Sequence, residues 1–76
     1  MTVDLEDINK LVGLQLGRRK VQAGDRLVED LGAESADVAN IVATVEEKYG
    51  ISIKEAEIAR IFTPADLFDL IQNRMR

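Results

Sequence analysis

Seventy-six residues make one small domain, too short for a second core or for a deep enzyme cleft walled by several elements. The chain has neither Cys nor His, which excludes a disulfide frame, a thiolate nucleophile, the usual zinc ligand sets and imidazole acid–base work. Hydrophobic residues make up 46% but aromatics only 4%, so the expected core is aliphatic, and the net charge of −4 is unevenly spread.

Leu5, Ile8, Leu11, Val12 and Leu16 recur at helical spacing, with Asp4, Glu6, Asp7, Asn9 and Lys10 on the opposite face. This predicts a first helix from about Val3 to Leu14 or beyond, stopped by Gly17. Arg18 to Arg26 reads as a polar connection broken by Gly24, with Val21 as an inward anchor. Leu27, Val28 and Leu31 are read as plugs of the core beneath this loop, with a short helical turn around Leu27 to Asp30. Loops of this length often serve function.

Val38, Ile41, Val42, Val45 and Tyr49 form an i, i+3, i+4, i+7, i+11 series, the strongest periodic signal in the chain, and Gly50 ends it. Ile51 and Ile53 alternate with Ser52 in an extended link, and Lys54 to Arg60 reads as a brief third helix with Ile58 and Ile61 turned inward. Thr63-Pro64-Ala65-Asp66 is a start signal in which Thr63 caps, Pro64 takes the first helical position and Asp66 meets the positive helix end. A final helix runs through Leu67, Leu70, Ile71 and Met75. The expected fold is all-α: a small bundle of three main helices plus one short helix, with a long first loop, forming a single domain over residues 1–76 without internal repeats.

From Glu29 to Glu47 the charged residues are Glu29, Asp30, Glu34, Asp37, Glu46 and Glu47, with no Lys or Arg among them; basic residues gather at Arg18-Arg19-Lys20 and near the C-terminus. An acidic surface disfavours nucleic acid as a partner and favours docking against Lys- and Arg-lined proteins, beyond merely solvating a helix face. No apolar run approaches the roughly 20 residues that cross a bilayer, and Met1-Thr2-Val3-Asp4 does not open like a secretory signal. The expectation is a cytoplasmic monomer without membrane insertion.

Within the acidic segment, Asp30-Leu31-Gly32-Ala33-Glu34-Ser35-Ala36-Asp37 sets one serine where a Gly turn hands over to the long amphipathic helix. The ordinary reading of Ser35 is an N-cap contributing roughly 1 kcal/mol. The other is an acceptor hydroxyl, since unpaired N–H groups and the positive end of the helix dipole stabilise a phosphate there.

This stretch resembles the acyl carrier protein family, whose mark is a Gly-x-Asp-Ser-Leu run opening the second helix and a Glu-Glu-x-Phe/Tyr-Gly close. Asp30-Leu31-Gly32-Ala33 leads in, Ser35 and Asp37 follow, and Glu46-Glu47-Lys48-Tyr49-Gly50-Ile51-Ser52-Ile53 closes the helix. The likeness extends from Leu14-Gln15-Leu16-Gly17 to Arg60-Ile61-Phe62-Thr63. The family's Asp is Glu34 here, its Leu is Ala36, and Asn40 is neutral where an acidic residue is frequent.

The resemblance implies the same fold, and a covalent phosphopantetheine arm placed on Ser35 by a phosphopantetheinyl transferase. It implies a carrier that catalyses nothing, presenting acyl groups as thioesters to acyl-processing enzymes with basic docking surfaces. The pathway would be fatty-acid synthesis or a specialised lipid or polyketide-type route, and the departures at Glu34, Ala36 and Asn40 point to the specialised kind. Glu34, Ala36, Asp37, Glu46 and Glu47 are the expected partner-facing residues. Val42, Val45, Ile58, Ile61 and Leu67 are expected to line a gap for the acyl chain, each of them otherwise an ordinary core residue. Two alternatives stand beside this reading: a carrier-like interaction module that is never modified, and an amino-acyl or peptidyl carrier.

Overall fold

The computed structural model of the chain describes residues 3–75. Four helices follow one another: α1 (Leu5–Leu16), α2 (Ser35–Tyr49), α3 (Glu55–Ile58) and α4 (Pro64–Arg74). With no strand among the described residues, the expected all-α bundle with a long first loop is what forms. No helix among these residues is long and apolar enough to cross a membrane.

The apolar stripes of α1, α2 and α4 meet in one aliphatic core. Ile8 and Val12 enter from α1, Ile41, Val42 and Val45 from α2, and Leu67 and Ile71 from α4. Helix α1 packs against both α2 and α4. Its N-terminal end lies by the C-terminal end of α2, where burial and then the charges of Asp7 and Asp4 push the Tyr49 phenol above its ordinary pKa. The two helices therefore run antiparallel.

Helix α1 begins two residues later than periodicity suggests: Asp4 is its extended N-cap residue, and Val3 is buried ahead of it. Gly17 and Gly50 end α1 and α2 in the left-handed conformation, as their positions in the sequence predict. Gly13 has a different role. A Cβ there would stand 2.8 Å from the Arg18 carbonyl oxygen, so only glycine lets the chain fold back over α1 and bring Val21 against the core.

Beneath the first loop one expectation fails. Leu27 and Leu31 plug the core, but Val28 is 58% exposed. The reason is helical geometry. Asp30 N–H and Leu31 N–H both donate to the Arg26 carbonyl, and Gly32 N–H donates to that of Val28. A single turn puts residues four apart on one face, so Leu27 and Leu31 point in together and Val28 is rotated out.

Helix α4 starts as its sequence specifies: Asp66 N–H donates to the Thr63 hydroxyl at 3.2 Å, and the Asp66 carboxylate accepts from the N–H groups of Thr63 and Phe62. Helix α3 is held differently. None of its four residues is fully buried, although Ile58 packs on the core's edge. Polar contacts fix it and the link before it: Glu57 accepts from Lys54 N–H at 3.0 Å and pairs with Arg74, whose Nε donates to the Ser52 carbonyl. Glu46 of α2 accepts from Ile53 N–H at 2.8 Å.

The Lys54 N–H, and next the Arg74 guanidinium, hold the Glu57 carboxyl below its ordinary pKa. A carboxylate depressed in the folded state stabilises it above the unfolded-state pKa and loses that contribution as pH falls through the folded value. Acid titration of stability by denaturant melts should therefore be steeper for the wild type than for Glu57→Gln, with the two curves parallel at neutral pH and above.

Candidate functional site

The entrance to α2 is built by the loop before it. Leu27 is buried, its N–H donates to the Phe62 carbonyl at 2.8 Å, and its own carbonyl accepts from Ala33 N–H at 2.8 Å. One residue thus ties the long loop to the α3–α4 junction on one side and to the approach of α2 on the other. Gly32, with φ of +70°, makes the reversal between Leu31 and Ala33, both of which are buried.

Glu34, in extended conformation, is the N-cap residue of α2, and Ser35 is its first helical residue. The ordinary N-cap reading of Ser35 is therefore displaced by one position. Ser35 is exposed, and among the described residues no hydrogen bond engages its hydroxyl. The other hydroxyls differ: that of Thr44 donates to the Asn40 carbonyl at 2.9 Å, and that of Thr63 accepts from Asp66 N–H. Ser52 is exposed but lies in the extended link before α3, and Thr2 lies outside the described residues.

Within α2 the first N–H paired with a backbone carbonyl is that of Val38, which donates to the Glu34 carbonyl at 3.1 Å. The N–H groups of Ser35 and Ala36 have no partner in the helix, so the end of a 15-residue helix presents donors and positive dipole where the Ser35 hydroxyl stands. A phosphodiester on that oxygen fits this environment. Among the described residues no side chain bonds to the hydroxyl to take its proton.

The acidic residues divide by what their carboxylates do. Asp37 reaches back to accept from Glu34 N–H at 2.9 Å, the reciprocal bond of a capping box. Asp30 is gripped by Arg26 through Nε, a terminal nitrogen and the backbone N–H, which hold its carboxyl below the usual range. Glu46 is tied to the link at Ile53. Glu29, Glu34 and Glu47 stand exposed. Ala36, Ala39, Asn40, Ala43 and Glu47, spaced three and four apart, form the outward face of α2, and all are exposed. That face is smooth and nearly neutral until Glu47.

The residues expected to line an acyl gap are brought together. Val42, Val45, Ile61 and Leu67 belong to the closed core, and Ile58 packs on it. Two features near Ser35 escaped the sequence reading. Arg18 folds back to donate to the Leu31 carbonyl at 3.3 Å, and Phe62 is 62% exposed beside the Leu27 bridge.

Comparison with known proteins agrees with this geometry. The family model for the phosphopantetheine attachment site matches residues 6–71. An acyl carrier protein of Wolinella succinogenes is 38% identical over 69 residues, covering 88% of this chain and 91% of the relative. The chain belongs to the acyl carrier protein family. A Nitratidesulfovibrio vulgaris acyl carrier protein is 31% identical over 71 residues, covering 91% of this chain and 93% of the relative. One from Campylobacter hominis is 38% identical over 53 residues, covering 70% and 67% respectively. Members of this family are carriers and not catalysts, and their prosthetic group is covalently attached phosphopantetheine.

The local bonding separates two substitutions that look alike in sequence. Ser35→Ala removes a hydroxyl that caps nothing and should change unfolding free energy by no more than a few tenths of a kcal/mol. Asp37→Ala removes the bond to Glu34 N–H and should cost about 1 kcal/mol. Urea melts of the two unmodified variants measure the difference.

Proposed function

We propose that the chain carries acyl groups as thioesters on a phosphopantetheine arm joined to Ser35 through a phosphodiester. The observation that carries this reading is the free, exposed Ser35 hydroxyl on the first turn of α2, in a chain of the acyl carrier protein family. The arm would supply the thiol that a chain without Cys lacks. The residues of the chain have three tasks. Gly32 and Ala33 present the hydroxyl clear of the core, the α2 N-terminus offsets charge on its oxygen, and Glu34 and Glu47 offer carboxylates to Lys and Arg on a transferase or acyl-processing enzyme. Tethering replaces free diffusion of the substrate with a high effective concentration.

An acyl chain retained between enzymes would enter by parting Val42, Val45, Ile61 and Leu67, with Ile58 at the edge. Aliphatic side chains repack with little penalty when volume is conserved, and burial returns about 25 cal/mol per Å² of apolar surface. The mostly polar anchoring of α3 favours that element as the one to yield.

The smooth outward face of α2 supports service in a dedicated lipid or polyketide-type pathway. A buried Leu contact is worth roughly 1.5–3 kcal/mol, and Ala36 gives up most of it. An enzyme that relies on a knob at this position would work more slowly on this chain.

Two experiments test the proposal. Incubating the unmodified chain with a broad-specificity phosphopantetheinyl transferase and coenzyme A should add the mass of one phosphopantetheinyl group to the wild type and none to Ser35→Ala. A wild type that stays unmodified would point to an interaction module. Next, Ala36→Leu should raise the transfer rate by up to about tenfold, because position 36 lies off the buried stripe and the change leaves the core alone. An unchanged or lower rate would remove the physical basis for specialisation.

A further inference from the structure

We infer that Phe62, with Val28 beside it, is the apolar anchor through which modifying enzymes dock on this chain, seating in an apolar pocket rimmed by Lys or Arg. The inference rests on the proposal that Ser35 is the modified residue. Three large hydrophobic residues are exposed among those described: Leu14 at 85%, Phe62 at 62% and Val28 at 58%. Phe62 and Val28 meet at the Leu27 bridge. Leu27 N–H bonds to the Phe62 carbonyl, Val28 is the next residue along, and the Leu27 carbonyl bonds to Ala33, two residues before Ser35. An enzyme that reaches the Ser35 hydroxyl covers this corner of the molecule. Leu14, on α1, borders a separate groove with Asp7, Lys10, Leu11, Thr44 and Lys48.

The Phe62 backbone is fixed at both ends, its N–H donating to Asp66 at 2.9 Å and its carbonyl accepting from Leu27 at 2.8 Å. The exposed ring is therefore presented by a bonded frame, and little ordering is required when it is buried in an interface. Aromatic side chains are enriched at the centres of protein interfaces, where a few residues carry most of the binding energy. The outward face of α2 offers only the methyl groups of Ala36, Ala39 and Ala43, so the anchoring apolar area on the Ser35 side comes from Phe62 and Val28. Exposed Glu29 adjoins Val28 and exposed Glu34 adjoins Ser35, and the nearby Arg26 is paired with Asp30, while Arg18 and exposed Arg60 keep their charge. The two carboxylates, on the Ser35 side of the patch, match Lys or Arg on the rim of a partner's pocket.

The test is the transferase reaction on the chain before any arm is attached, so that contacts to the arm play no part. Phe62→Ala should lower kcat/KM about tenfold and Val28→Ser a few-fold, while Leu14→Ala leaves it within twofold of wild type. The loss from Phe62→Ala should persist at high salt, where charge contacts fade. Circular dichroism melts on the same samples establish that each variant is folded. As a readout without substitution, the Phe62 ring resonances of the wild type should shift or broaden when transferase is added and the Leu14 methyl resonances should not. A Phe62→Ala rate within twofold of wild type, an equal loss in Leu14→Ala, or unmoved Phe62 resonances would overturn the inference. An effect seen only after the arm is attached would overturn it too, assigning the ring to the arm. A wild type that accepts no group at all would instead overturn the Ser35 proposal.

Discussion

The backbone of Leu27 is the constraint on which the site depends. Its side chain is buried, its N–H is bonded to Phe62 and its carbonyl to Ala33, so one residue joins the long loop, the α3–α4 junction and the approach to α2. In a chain this small a long loop is an entropic liability, because its ends and its middle must all be ordered. Burying Leu27 and Leu31 through a single helical turn offsets that cost, and the two backbone bonds transmit the order to Ala33. The Ser35 hydroxyl is thereby held at the surface on a stiff support, with no hydrogen bond of its own among the described residues.

The rest of the molecule divides into an apolar part and a polar part. Helices α1, α2 and α4 share an aliphatic core, whose members differ little in volume and polarity. Helix α3 and the link before it hang on Glu46, Glu57, Lys54 and Arg74, through bonds at or near the surface. Such contacts are individually weak and sensitive to salt and acid, whereas the core holds no charge to screen or titrate. The fold thus combines a firm three-helix frame with one element anchored mainly by electrostatics, next to the residues an acyl chain would have to part.

Much of this was legible in the sequence because it rests on period and punctuation. The stripe from Val38 to Tyr49, the terminators Gly17 and Gly50, and the Thr63-Pro64 start each act locally, and each stands where it was read. What escaped depends on partners distant in sequence or on angular detail. Val28 was read as a plug because apolar residues in a loop carry no period to say which way they face. The exact start of α2 at Ser35, with Glu34 as cap, turns on one residue's backbone angles, which periodicity does not resolve. Glu46 is expected to face a partner, yet its carboxylate accepts from Ile53 N–H seven residues on. The exposed ring of Phe62 had no sequence signal at all; only the backbone bonds to Leu27 and Asp66 place it beside the site.

The account's central claim is chemical: the idle aliphatic hydroxyl on α2, that of Ser35, is the one that is used. Cleavage after Arg26 and Lys48 releases a peptide spanning residues 27–48, which contains two hydroxyl side chains, Ser35 and Thr44, and the second is already bonded to Asn40. Fragmentation of that peptide by tandem mass spectrometry, after modification of the intact folded chain, locates the phosphodiester. The account predicts it on Ser35 alone. Finding it on Thr44, or on a peptide outside residues 27–48, would contradict the account directly.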